Sequence, residues 1–253
     1  MMDPASVGID SGSTTFKAVA IDRDGRILAS FLEAADPRIE EQAARSLVSL
    51  GAPDGIPVGA TGYGRKRVNA ARALTEITCH ARGAFFRMRE TGILVDVGGQ
   101  DTKVVRVGPG GAVQDFAMND KCAAGTGRFL EVILGRLQVP LEGLEVLVAR
   151  APRAVPVSST CTVFAESEVI SLVAGDEPLD GIVKGLHVAL ASRVAALARG
   201  AAAGDEVLMS GGVALNGAMV AALREALGRT VRVLPEPQLV GALGAALSVV
   251  PAR

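Results

Sequence analysis

At 253 residues the chain has room for one large domain or two modest ones, with a sizeable core in either case. Its 27 acidic residues nearly balance 26 basic ones, and no tryptophan, one tyrosine and seven phenylalanines offer few stacking surfaces, which argues against a nucleic-acid partner. Three cysteines, an odd number, argue against a disulfide framework and toward thiol or metal chemistry.

The start, Met1-Met-Asp-Pro-Ala-Ser, has neither the basic nor the apolar region of a secretory leader. The most continuous apolar stretch, Leu239 to Val250, is shorter than the ~20 residues that span a bilayer. A cytoplasmic protein with no membrane partner is expected. Strands are predicted near 6–10, 16–21 and 26–33, with Asp24-Gly25 as a hairpin turn. A helix over about 38–50 places Ile39, Ala43, Leu47 and Leu50 on one face. Pro57 to Ala60 reads as a short buried strand ending at the turn Thr61-Gly-Tyr-Gly64, and a second helix covers about 75–90. The pattern then restarts, with strands near 92–96, 102–107 and 112–117 and a helix over about 125–138. Helices follow near 163–174 and 179–200, then a strand Glu206 to Ser210, a glycine turn, a helix to about 227, a strand over 230–234 and a closing helix. Pro237 suits the first turn of that last helix, where its missing N–H is not needed. The restart suggests a first lobe over 1–90, a second over 91–236 and a helix over 237–253 that returns to the first.

One pattern occurs twice. Asp10-Ser11-Gly12-Ser13-Thr14-Thr15-Phe16-Lys17 and Asp96-Val97-Gly98-Gly99-Gln100-Asp101-Thr102-Lys103 both read D-x-G-x-x-x-x-K, and each joins two β-branched runs. Glycine lets backbone N–H groups approach phosphate oxygens, lysine adds charge, and the acids can hold Mg²⁺ through water. A single such hairpin is weak evidence because glycine-rich turns are common; two at the same spacing indicate a two-lobed nucleotide clamp. Ser210-Gly211-Gly212-Val213 leaves a strand and opens a helix, an arrangement that points backbone N–H groups at an anion or nucleotide, though such turns are often only packing.

Cys122 and Cys161 each sit just ahead of a predicted helix, and a helix N-terminus favours the thiolate that binds metal. Both cysteines could instead be small buried hydrophobes. If they are ligands, a [4Fe–4S] cluster needs four thiolates, which a two-fold homodimer would supply; a zinc site built in the same way is the alternative. Cys79 and His80 are adjacent on a predicted helix and point apart, so Cys79 is read as structural. Glu166 and Glu168 are expected in the first turn of a helix, where they suit its dipole. Lys121 and Arg128 flank Cys122 and either balance cluster charge or are solvated. His187 lies on a mostly apolar helix and reads as a partly buried structural residue. No Ser–His–Asp arrangement stands out.

With these residues in view, the chain resembles the ATPase activators of 2-hydroxyacyl-CoA dehydratases, in the family that also holds ATP-binding subunits of benzoyl-CoA reductase. The segments that carry the resemblance are GIDSGSTTFKAV from Gly8, ATGYGR from Ala60, ITCHARGA from Ile77, VDVGGQDTKV from Val95, MNDKCAAGTGRFLE from Met118, SSTCTVFAESEVISL from Ser158, SGGVALN from Ser210 and GALGAAL from Gly241. The two cysteine segments are the most specific, since sugar and acetate kinases of the same superfamily lack them. The resemblance implies an α/β fold of the actin/Hsp70/hexokinase-like (ASKHA) type, with ATP or ADP and Mg²⁺ in a cleft between two related lobes. It further implies a homodimer bridged by one [4Fe–4S] cluster on Cys122 and Cys161 of each subunit. ATP binding and hydrolysis would then drive a low-potential electron, received from a ferredoxin or flavodoxin, into a partner iron–sulfur dehydratase or reductase. On this basis Asp10 and Asp96 organise Mg²⁺. Ser11 to Thr15, Lys17, Gly98, Gly99 and Gly125 surround the phosphates, and Gln100 or Asp101 positions the attacking water. Gly211, Gly212, Asn216, Gln238 and Gly241 line the nucleoside side. Ser210 stands where the family pattern leads one to expect threonine, and Val97 where isoleucine is common. The rival readings are a subunit of a benzoyl-CoA reductase, a small-molecule kinase of the same fold, and a chaperone-like nucleotide switch.

Overall fold

The computed structural model describes residues 3–198 and 206–251 and contains two five-stranded sheets. The first is built from β1 (Ser6–Ser11), β2 (Thr15–Ile21), β3 (Ile27–Ala34), β4 (Val58–Thr61) and β5 (Arg72–Ala73), in the order β3-β2-β1-β4-β5. β1 and β2 form an antiparallel hairpin that sets Asp10 opposite Lys17, and β4 runs parallel to β1 with Thr61 beside Asp10. The second contains β6 (Gly92–Val97), β7 (Thr102–Val107), β8 (Val113–Asn119), β9 (Val207–Ser210) and β10 (Val231–Val233), in the order β10-β9-β6-β7-β8. The two orders match when one is reversed. In each, the strand ending in the acid is central, its hairpin partner lies on one side, and a strand from much later in the chain lies on the other.

Two compact units divide the chain. The first holds residues 1–94, 105–116 and 234–253; the second holds 95–104 and 117–233. The first unit's core gathers Val7, Ile9, Phe16, Ala18 and Ala60 with Ala43 and Leu50, and Ile39 and Leu47 pack against it. The α1 face (Ile39–Ser49) anticipated from its 3.6-residue period is therefore the one that turns inward. Phe16 and Phe31 meet edge to face, with centroids 6.1 Å apart. α2 (Glu76–Met88) starts at Thr75, whose hydroxyl accepts from the Thr78 N–H at 3.2 Å, and stops at Arg89 in the left-handed region. In the second unit, α3 (Gly127–Arg136), α4 (Leu144–Arg150), α5 (Thr162–Ala174), α6 (Leu179–Ala198) and α7 (Gly217–Leu227) follow β8, with β9 between α6 and α7. α6 is long and apolar enough to cross a membrane, yet 61% of its apolar window is buried, as in a core helix.

Several elements differ from expectation. The helix anticipated from 125 begins at Gly127, because a single 3-10 turn over Ala123–Gly125 comes first. α4 and the two-residue β5 carry too little periodicity to be recognised. α6 is described to Ala198, and the predicted residues 199 and 200 lie outside the described residues. Pro237 lies not in the first turn of α8 (Val240–Leu247) but in a turn ahead of it, where Glu236 takes a positive φ of 46° that a helix cannot continue.

Candidate nucleotide and cysteine site

β1 delivers Asp10 to its end, and the loop turns back so that Lys17 Nζ donates to Asp10 Oδ2 at 3.3 Å. Asp10 and Ser11 are buried, whereas Gly12, Ser13, Thr14 and Thr15 are half-buried and line the loop. The Thr14 hydroxyl is buried with no hydrogen-bond partner in the protein. A buried polar atom without a partner is rare, and it suits a loop shaped for a polar ligand. His80, held by its Nδ1 to the Glu76 carbonyl at 2.9 Å, approaches the same acid: a Cβ built on Gly241 would lie 3.0 Å from His80 Nε2 and 3.2 Å from Asp10 Oδ2. Gln238 lies half-buried just ahead of α8 in this unit. Cys79, read as structural, is wholly buried, and that burial pushes its thiol up to about 11.

The second loop is tighter. Asp96, Asp101 and Lys103 are all buried; Lys103 Nζ donates to Asp101 Oδ2 at 2.8 Å and to Asp96 Oδ2 at 3.5 Å. Ser210 at the end of β9 donates its hydroxyl to Asp96 Oδ1 at 2.7 Å. Gly98 and Gly99 are half-buried and Gln100 is exposed. Gly211 lies at φ +89°, and a Cβ there would collide with the Val97 carbonyl. Gly62 in the first unit has the same φ of +89° and would collide with the Ser11 carbonyl. Both sit one residue past the strand beside the acid. The duplication therefore includes a hydroxyl–glycine pair, Thr61-Gly62 and Ser210-Gly211, that no spacing along the chain reveals.

Asn216, anticipated beside the nucleoside, caps α7 by accepting from the Met219 N–H at 3.3 Å and donates to His187 Nε2 at 2.9 Å. His187 is wholly rather than partly buried; its Nδ1–H donates to the Val183 carbonyl at 2.8 Å, and burial holds the imidazole below its ordinary value and neutral. Gly212 is exposed. The nucleoside residues thus fall in two groups, Gly211, Gly212 and Asn216 in the second unit and Gln238 and Gly241 in the first.

The phosphate-type loop of the second unit is bonded to the Cys122 segment. The Gly98 carbonyl accepts from Gly127 N at 2.9 Å, and the Gly99 carbonyl accepts from Arg128 N at 2.8 Å and from the Thr126 hydroxyl at 3.1 Å. The Thr126 hydroxyl also lies 2.8 Å from the Ala123 carbonyl, and the Thr102 hydroxyl donates to the Gly125 carbonyl at 2.6 Å. Cys122 is exposed and precedes the 3-10 turn rather than an α-helix. The Asn119 side chain grips its peptide at both ends, accepting from Cys122 N at 3.2 Å and donating to Cys122 O at 2.8 Å. Cys161 is also exposed and is the N-cap residue of the 13-residue α5. Neither is a buried hydrophobe. Because α5 starts at Thr162, neither Glu166 nor Glu168 lies in its first turn, and Glu168 reaches back to accept from Ser158 N, Ser158 Oγ and Ser159 N, each at 2.8 Å. Desolvation pushes this carboxyl up, but hydrogen bonds from Ser159 and Ser158 outweigh it and hold the group at about 2. Glu166 pairs with Arg136 at 3.5 Å, and Arg128 with Glu131 at 3.1 Å. Lys121 is exposed.

Cys122 and Cys161 fit half of an iron–sulfur site. Their thiols are free and exposed, and the Thr162 hydroxyl beside Cys161 is buried without a partner. Among the described residues no three His, Cys, Asp or Glu side chains converge as a metal site. Sequence reasoning missed His80, Asn119, Glu168 as a loop anchor, and Gly62 with Gly64. The ATGYGR segment marked the two glycines without a role, and Asn119 lies three residues before Cys122.

The profile of the BadF/BadG/BcrA/BcrD ATPase family matches residues 7–249. The (R)-2-hydroxyglutaryl-CoA dehydratase activating ATPase of Acidaminococcus fermentans is 42% identical over 265 aligned positions, covering 96% of this chain and 95% of the relative. One of the benzoyl-CoA reductase subunits of Thauera aromatica is 32% identical, with 84% of this chain and 79% of the relative covered. Among solved structures, the activator of the 2-hydroxyisocaproyl-CoA dehydratase from Clostridium difficile with bound ADPNP superposes with a TM-score of 0.90 at 38% identity, covering 97% of this chain and 94% of the other. A ROK family glucokinase from Streptomyces griseus, with a TM-score of 0.62 at 15% identity and coverage of 96% and 98%, shares the fold alone. The fold is the actin/Hsp70/hexokinase-like α/β type.

Proposed function

The chain belongs to the BadF/BadG/BcrA/BcrD ATPase family, and from that premise we propose that it is an ATP-driven electron-transfer activator of a 2-hydroxyacyl-CoA dehydratase, acting in the cytoplasm as a homodimer. In the first unit, Asp10 holds Mg²⁺ through water, while the Ser11–Thr15 backbone, the Thr14 hydroxyl and Lys17 take phosphate oxygens. In the second, Asp96 holds Mg²⁺ through water, Gly98, Gly99 and Gly125 lend the phosphates room, and exposed Gln100 orients the attacking water. Asp101 is the weaker candidate for that last role because Lys103 already occupies its carboxylate. For the nucleoside, the second unit offers Gly211, Gly212 and Asn216, and the first offers Gln238 and Gly241.

One observation carries the coupling of nucleotide to redox chemistry: the Gly98 and Gly99 carbonyls are hydrogen-bonded to the segment that follows Cys122. A shift of the loop on phosphate release therefore pulls Thr126, and through it Ala123 and the Cys122 turn. Cys122 and Cys161 of two chains supply the four thiolates that a [4Fe–4S] cluster takes. When bound, such a cluster supplies a one-electron carrier whose potential follows the charge and hydrogen bonds around it. A cluster held there would let an electron from a ferredoxin or flavodoxin be handed on to an iron–sulfur enzyme that acts on a CoA ester. Higher identity to the dehydratase activator, 42% against 32%, favours that partner over a benzoyl-CoA reductase.

The test is iron and acid-labile sulfide per chain, with an EPR spectrum after dithionite reduction, all without oxygen. About four irons per two chains and a reduced-cluster signal are expected. Cys122→Ser and Cys161→Ser should each abolish both while leaving ADP binding intact. A protein that takes up no iron after anaerobic reconstitution would sink this reading and move the kinase or nucleotide-switch readings ahead.

A further inference from the structure

We propose that Arg193 is the positioning residue that locks the two cysteine loops to each other, fixing the separation and orientation of Cys122 and Cys161; its meaning for a cluster rests on the function proposed above. Arg193 projects from α6, between Leu190 and Val194, both buried. Its Nη1 donates to the Ala124 carbonyl at 3.1 Å and its Nη2 to the Ser159 carbonyl at 2.9 Å. Ala124 lies two residues after Cys122, and Ser159 two residues before Cys161. One planar fork thus holds both loops, and its Cζ lies over the Phe129 ring, 4.7 Å from the centroid.

The rest of the local structure explains why the joint falls here. Each loop is stiff within itself, the first through Asn119 and the second through Glu168. Neither anchor reaches the other loop. Further along, α3 and α5 also pack directly against each other, and the Arg136–Glu166 pair between them, at 3.5 Å with side chains 59% and 36% exposed, adds little. Two internally rigid loops with one bidentate cation at their junction move together. A displacement started at Gly99 and carried by Thr126 to Ala123 therefore reaches Ser159 through the guanidinium. The same hydrogen bond to Ala124 places the guanidinium's charge two residues along the chain from Cys122. A lysine could keep that charge but could not grip two carbonyls in one plane.

Arg193→Lys and Arg193→Gln separate charge from geometry, in the full chain, both as isolated without iron and after anaerobic reconstitution. In the iron-free protein, mass-spectrometric alkylation rates of Cys122 and Cys161 should rise in Arg193→Lys, which loosens the fork but keeps the cation that favours thiolate, while buried Cys79 stays protected. In the reconstituted protein, release of iron to a chelator should quicken roughly 10–100-fold in both variants. The midpoint potential should move negative in Arg193→Gln alone, because only that variant removes the cation. Unchanged iron release in Arg193→Gln, or unchanged alkylation in Arg193→Lys, would overturn the proposal. If Arg193→Gln also exposes Cys79, the arbiter is Arg193→Lys, and wild-type rates there overturn the proposal equally. A wild-type protein that takes up no iron would sink the cluster reading but leave the alkylation experiment to decide on the loop lock.

Discussion

The two D-x-G-x-x-x-x-K loops share spacing, hairpin and flanking hydroxyl–glycine pair, yet their lysines do different work. Lys17 is 15% exposed and meets a single carboxylate, Asp10, at 3.3 Å. Lys103 is 2% exposed and is held between Asp101 and Asp96. One position accounts for the contrast: five residues after the acid stands Thr15 in the first loop and Asp101 in the second. In the first loop the formal charges of acid and lysine cancel. In the second, two carboxylates share one ammonium, so the named groups keep a formal charge of −1, which suits a hydrated cation. A single acid thus gives the two copies of the motif different formal charge, zero in the first and −1 in the second, counting the named groups.

Removing Lys103 should break the comparison most severely. Lys103→Met leaves two buried carboxylates without their ammonium, and breaking a buried pair in this way costs about 3–5 kcal/mol. Urea denaturation should show a loss of that size, and a change below about 1 kcal/mol would mean that water or other groups already neutralise the acids. Lys17→Met should act on turnover instead. Removing one charge-stabilising donor costs roughly 10²-fold in kcat, with a far smaller loss of folding stability than at Lys103. Equal effects on stability at both lysines would erase the distinction. The third change sharpens it: Thr15→Asp gives the first loop the acid of the second. Lys17 should then turn inward, and ADP affinity should fall about five- to tenfold by calorimetry. Unaltered affinity would show that Lys17 does not reach the phosphates.

Much of this was legible along the chain because it rests on local patterns. The acids, glycines and lysines announce themselves by spacing, and the inward face of α1 by its period. What was missed depends on contacts between distant segments. Gly62 and Gly211 acquire a common role only when β4 and β9 are placed beside the acid strands. Asn216 also caps α7 and bonds to His187, 29 residues away, roles that spacing along the chain does not show. Arg193 was invisible in an apolar stretch, since nothing in that helix indicates that its guanidinium lies between loops 69 and 34 residues earlier. The helix-dipole argument for both cysteines survives for Cys161 alone, because a 3-10 turn intervenes after Cys122.

The cysteine loops repeat on a smaller scale the contrast of neutral and charged anchoring. Asn119 holds Cys122 with an amide that does not titrate, whereas Glu168 holds the approach to Cys161 with a carboxylate kept at about 2, below its ordinary 4.5. A group whose folded value is depressed stabilises the fold fully above its unfolded value and loses that contribution as the pH falls through the folded one. Wild type should therefore melt above Glu168→Gln at neutral pH, and the gap should close between about pH 4.5 and 2. At neutral pH the same variant should raise the alkylation rate of Cys161 more than that of Cys122. A melting-temperature gap that persists to pH 2 would show that the carboxylate's charge is not what grips Ser158 and Ser159. Equal acceleration of both cysteines would show instead that loosening one loop is passed to the other, the outcome expected if the Arg193 joint transmits motion more stiffly than Asn119 resists it.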